Sequence, residues 1–187
     1  MHPLGGNNIT NGMQPLSQAL APWHDFYTLL GEASATMIGL LFVAASVGSR
    51  IFSQNRPGAL RMFLSASVVQ FGSTLAACLT VLAPLRRWEL TGGMIFACGV
   101  FGLTYSVMAW RDTVHDGIST KIALEDRIWY AVLPAVGYLL ETGAGITLVM
   151  RLGVGCATLP VAMGTLLLVA VHNAWDITVW SVMRPKV

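Results

Sequence analysis

Charge is what this chain has least of: 11 Lys and Arg against 9 Asp and Glu in 187 residues, 11% of the total. Soluble domains carry about 25% charge, so too few solvated residues are present to cover a globule, and a conventional soluble enzyme is excluded. Cysteine is also scarce, with three residues and no Cys-x-x-Cys pair, which excludes a disulfide-stapled scaffold and dithiol redox chemistry. The His-Glu-x-x-His zinc motif, the Gly-x-Ser-x-Gly elbow, the Walker loop and the Gly-x-Gly-x-x-Gly fingerprint are all missing, so the sequence gives no support for hydrolysis or nucleotide-driven work. An enzyme is therefore not expected. No cofactor and no nucleic-acid partner is expected either.

What the chain does have is apolar length. It is 55% hydrophobic with a mean hydropathy of +0.64, which excludes disorder. A helix crossing the hydrocarbon core needs about 20 mainly apolar residues. Five stretches qualify: Asp25 to Gly48, Met62 to Leu85, Leu90 to Trp110, Ile128 to Met150 and Ala157 to Met183. The roughly ten-residue alternating segments of a membrane β-barrel do not occur. The expected fold is an all-α, five-helix membrane bundle in contact with the lipid bilayer. Residues 1–22, rich in Gly, Asn and Pro and without Lys or Arg, read as a flexible tail, and residues 184–187 as a short one. The tail lacks the basic start of a signal peptide.

Orientation follows from Lys and Arg. Arg50, Arg56, Arg61, Arg111, Lys121, Arg127, Arg184 and Lys186 fall on one side, and Arg86, Arg87 and Arg151 on the other. This places the N-terminus outside and the C-terminus inside. The loop from Arg111 to Arg127 mixes both signs and reads as a solvated cytoplasmic segment, the first place to look for a cytosolic partner.

Ionisable groups within a membrane cost several kcal/mol, on the order of 3, and almost always face protein or water. Glu32, Glu141, His172 and Asp176 are such groups. Glu32 lies on a small-residue stripe with Ala35 and Gly39, and Glu141 on another with Gly137 and Gly145. Small residues let membrane helices approach closely, so the first and fourth spans are expected to pack and bring the two carboxylates together, where a shared proton or a bound cation would satisfy them. In His172-Asn173-Ala174-Trp175-Asp176 the His and Asp stand at i and i+4 on one face. Gln70 and Tyr105 are expected at the depth of His172. Together these groups form a candidate polar column. It is open to two readings: a proton or cation route, or polar glue between helices.

His172 and Asp176 offer two metal ligands on one helix without a third, so no metal site is expected. The histidines do not match in depth for a two-histidine haem. Asp25 is expected to cap the first span, Pro134 to kink the fourth, and Pro160 to fall in the first turn of the fifth.

The opening Trp-His-Asp-Phe-Tyr segment and the closing His-Asn-Ala-Trp-Asp resemble the ends of a group of small bacterial integral membrane proteins. The resemblance implies a bacterial inner membrane and five spans, and carries no catalytic assignment. Five helices make a thin wall around a solute path, so a channel or transporter for protons or small cations would work as a homo-oligomer. The alternative is a non-catalytic accessory subunit of a larger membrane complex.

Overall fold

The computed structural model describes residues 15–48, 57–85, 87–115 and 128–183. Among them the structure is helical without strands. A short helix α1 (Leu16–Leu20) and a 3-10 turn (Ala21–Trp23) lead into α2 (His24–Gly48), followed by α3 (Pro57–Leu82), α4 (Trp88–His115), a π-helical turn (Ile128–Val132), α5 (Leu133–Val149) and α6 (Val154–Met183). Four stretches are long and apolar enough to cross a membrane, Leu16–Ser46, Trp88–Arg111, Ile128–Val149 and Val154–Asp176, while α3 contributes the shorter apolar segment Ala66–Leu82.

The polarity of the molecule is inverted relative to a soluble protein. Phe42, Phe101 and Leu168 are 64–68% exposed, while Glu141 and Asn173 are 0–2% exposed. An apolar exterior around a polar interior is what a hydrocarbon solvent selects, and the chain is membrane-embedded. Threonines on the outside satisfy themselves: Thr36 Oγ1 donates to the Glu32 carbonyl at 2.8 Å and Thr104 Oγ1 to the Val100 carbonyl at 2.8 Å. Neither of these hydroxyls needs water.

Helices α3, α4, α5 and α6 pack as a ring in that order, α6 closing back on α3, and α2 lies outside it against α3 and more lightly α6. The expected pairing of the first and fourth spans is not what forms, since α2 and α5 are not a packed pair. α5 instead packs most extensively on α4. The reason is backbone proximity. A Cβ on Gly145 would come within 2.5 Å of the Phe96 nitrogen, and one on Gly92 within 2.6 Å of the Val149 nitrogen. Gly102 lies flat against the Tyr138 ring. Without a hydrophobic drive between helices in lipid, such close contact supplies the association energy.

Several sequence expectations on boundaries are corrected. Part of the expected flexible tail is ordered, since Leu16 and Leu20 are buried in the core; residues 1–14 and 184–187 lie outside the described residues. Asp25 stands inside the first turn of α2 rather than ahead of it, because the 3-10 turn runs straight into the helix. Helix α3, expected as the second span, ends at Leu82, ahead of Pro84, which disfavours helical geometry in the residue before it. Helix α4 continues through Arg111 to His115; the rest of the expected loop lies outside the described residues. Pro134 sits in the first turn of α5 behind the π-helical turn, and Pro160 is inside α6, which starts earlier than expected.

At one end of the ring Arg151 terminates α5 with φ 58°. Its N–H reaches the Leu148 carbonyl at 2.9 Å and that of Leu152 the Thr147 carbonyl at 2.8 Å, a Schellman closure in which glycine is the usual occupant. The guanidinium explains the arginine, because its Nε donates to Glu89 Oε1 at 2.8 Å and ties the α5–α6 turn to the start of α4.

Gly145→Ala should destabilise the protein by about 1–3 kcal/mol, because the helices must separate. Gly143→Ala, where a Cβ meets nothing within 4 Å, should leave thermal unfolding in detergent unchanged. Equal midpoints for the two variants would contradict the close α4–α5 contact.

Candidate functional site

Glu141 occupies the ninth position of α5 and is 0% exposed, surrounded by the ring of helices. It reaches across the ring: Ser73 Oγ of α3 donates to Glu141 Oε2 at 3.4 Å, and Glu141 Oε1 has no protein partner. That single long hydrogen bond to a neutral group is weak support for a carboxylate removed from water. Cys78 of α3 and Cys98 of α4 lie within electrostatic reach of it.

The same faces carry further polar groups at helical spacing. Tyr138 precedes Glu141 by one turn, and Ser67, Gln70 and Ser73 recur every three residues along α3. All are buried, and Ser67 Oγ, Gln70 Oε1 and Tyr138 OH lack protein partners. The Tyr138 hydroxyl comes near Ser73 without meeting hydrogen-bond geometry. With Ser73 opposite Glu141, the rise of about 1.5 Å per residue puts Gln70 opposite Tyr138, about 4.5 Å along the bundle.

At the far end, Asn173 Nδ2 of α6 donates to the Trp129 carbonyl at 3.4 Å, leaving Asn173 Oδ1 unpartnered. The His172 ring stacks on Trp129 with centroids 3.7 Å apart and an interplanar angle of 28°. His172 Nε2 lies 3.4 Å from Asp176 Oδ2. The i, i+4 pair read from the sequence is thus formed, near the end of the bundle. Gln70 lies nearer Glu141 than His172, because His172 stacks on Trp129, nine residues and about 14 Å along α5 from the Tyr138 level. Tyr105 is half-buried on α4, within electrostatic reach of Tyr138.

Glu32 does not join this cluster. It is exposed on α2 together with Ala35 and Gly39, and no atom comes within 4 Å of a Cβ placed on Gly39. Of the expected packing residues, Gly137 meets the Leu166 side chain and Gly145 the Phe96 backbone, whereas Ala35 and Gly39 face outward. The column divides into an internal file with Glu141 at its head, an end group of Trp129, His172 and Asp176, and an outward-facing Glu32. Sequence reasoning missed Ser67, Ser73, Tyr138 and Trp129. Only Tyr138, one turn from Glu141, carried a readable signal.

A groove of about 520 Å³ lined by Leu16, Leu20, His24, Val81 and Pro84 lies beside α1, apart from Glu141. No protein-family profile matches the chain, and no curated protein or solved structure matches it. The functional reading therefore rests on the residues themselves.

Tyr138→Phe keeps the ring on Gly102 and removes only the unpartnered hydroxyl. It should shift stability by less than about 1 kcal/mol or raise it. A loss of about 2 kcal/mol in reversible unfolding in detergent would mean that the hydroxyl holds the bundle together.

Proposed function

We propose that this is an integral protein of the bacterial inner membrane, crossing it five times with the N-terminus outside and the C-terminus inside. Its function is that of a homo-oligomeric channel or transporter for protons or small cations. The observation that carries this reading is Glu141, a carboxylate enclosed by four helices and supported by one hydroxyl at 3.4 Å. Groups that act only as glue satisfy one another. Here Glu141 Oε1, Tyr138 OH, Gln70 Oε1 and Asn173 Oδ1 all keep acceptor capacity for an exchangeable partner. A proton on the carboxylate, or a small cation beside these oxygens, fits that donor set.

The end that carries His172 and Asp176 is the cytoplasmic one by the distribution of Lys and Arg. His172 gives that end an imidazole stacked on Trp129, with Nε2 3.4 Å from Asp176 Oδ2. Oligomerisation is supported by Glu32, which is exposed on α2 ahead of the exposed small residues Ala35 and Gly39. A carboxylate in hydrocarbon is costly, and a helix of a neighbouring protomer would cover it. The same outward face favours a second reading, an accessory subunit docked on a larger membrane complex.

Flux through proteoliposomes, followed with a proton dye and a panel of cation gradients, separates the two. A transporter moves one of the ions, and Glu141→Gln lowers the rate to that of empty liposomes. Folded wild-type protein that moves no ion under any gradient, or Glu141→Gln protein as active as wild type, would remove the transport reading and leave the accessory subunit.

A further inference from the structure

The buried polar atoms without partners are unevenly distributed along the ring. Ser67 Oγ, Gln70 Oε1, Tyr138 OH, Glu141 Oε1 and Asn173 Oδ1 all lie between Glu141 and the Trp129 end. On the register set by the Ser73–Glu141 and Asn173–Trp129 contacts, these groups descend from Glu141 over about 18 Å at 1.5 Å per residue. Outside this file the unpartnered buried side-chain atoms among the described residues are Thr91 Oγ1, at the start of α4, and Tyr27 OH and Ser34 Oγ on α2.

The other half of the ring interior is built differently. From Glu141 toward the Glu89–Arg151 end lie Ala144, Leu148, Ile95, Leu159, Ala77 and Cys78, the larger share of a buried cluster that also takes in Tyr27 and, past Glu141, Tyr138 and Leu166. Here α4 and α5 touch backbone to backbone at Gly92, Phe96 and Gly145. Such a contact leaves no room for water.

We infer that the interior from the Trp129 end to Glu141 is a one-sided access path for water and protons, closed beyond Glu141 by the apolar half of the bundle. The inference deepens the transport reading and rests on it for its purpose, though its geometry stands apart from it. Each buried oxygen without a protein partner costs on the order of 1–3 kcal/mol unless water reaches it, and a file of waters needs two to four polar neighbours for each member. The half toward Trp129 lines up five such groups, whereas on the Glu89 side of the carboxylate the unpartnered atoms among the described residues are Thr91 Oγ1 and Tyr27 OH, the latter near Cys78. Glu141 thereby exchanges its proton with one side of the membrane only. Delivery to the other side requires the α4–α5 contact to open, which is the alternating behaviour a transporter needs and an open pore lacks.

The test uses the full chain in sealed vesicles of both orientations, with silver ion as the probe, since it is small enough to follow waters and blocks thiols. Ser67→Cys and Gln70→Cys are made with Cys98 and Cys156 replaced by alanine, and Cys78 in the apolar half is kept as the internal reference. Ser67→Cys is close to isosteric, so it retains the fold if Gln70→Cys does not. Thiols left unblocked are counted after unfolding. The expected result is blocking at positions 67 and 70 from one membrane face only, with Cys78 spared from both. Blocking from neither face would show a dry interior, and blocking from both a continuous pore; either overturns the inference. Absence of ion flux together with one-sided blocking would remove the transport reading while the access path stands.

Discussion

Because Gly145 carries no side chain, α5 can press its backbone onto Phe96 of α4, and that contact sets which face of α5 turns inward. With Gly145, Thr142 and Tyr138 held against α4 through Phe96, Gly99 and Gly102, the neighbouring face carrying Glu141 turns toward α3 and α6. The ring of four helices then closes around it. In hydrocarbon, where lipid tails are as apolar as leucine, packing this close is a main source of helix association. The position of the buried carboxylate is a consequence of the glycines, and the burial of Ser73, Gln70 and Asn173 follows from the same closure.

The sequence made the class of the molecule legible because it depends on bulk composition: low charge and long apolar stretches leave few alternatives to a helical membrane protein. It also singled out Glu141, since an ionisable group within an apolar span is expensive wherever it sits. Partners were less legible. Stripes of small residues on α2 and α5 mark two faces fit for close contact, but a stripe does not say which helix it meets. The stripe on α5 met α4 at Phe96 through Gly145 and α6 at Leu166 through Gly137, and the stripe on α2 was left facing outward with Glu32. Ser73 was invisible for a related reason. Serines are frequent in membrane helices, and only the diagonal contact across the ring distinguishes this one. The match in depth between His172 and Gln70 was counted along single helices, whereas the register of α6 against α5 places His172 beside Trp129, near the end of the bundle.

The two halves of the interior have different physical characters, and their boundary is Glu141. Toward Arg151 the helices are held by backbone contact, a Schellman turn and the Glu89 ion pair, all features that resist movement. Toward Trp129 the chain has a π-helical turn, a proline in the first turn of α5 and a single 3.4 Å hydrogen bond from Asn173. π-Helical turns interrupt the regular hydrogen-bond ladder and are frequent at functional sites. The firm half holds the carboxylate in place. The looser half reaches it from one side.

The central claim is that Glu141 points across the ring at α3 and not outward at α2. It is tested most directly by placing cysteine pairs in a chain whose native cysteines are replaced and treating membranes with a short bifunctional thiol reagent. The account predicts efficient cross-linking of Ser73→Cys with Glu141→Cys and none of Glu32→Cys with Glu141→Cys within a protomer. The reverse pattern would contradict it, because a carboxylate packed against α2 would belong to a different bundle with no internal polar file.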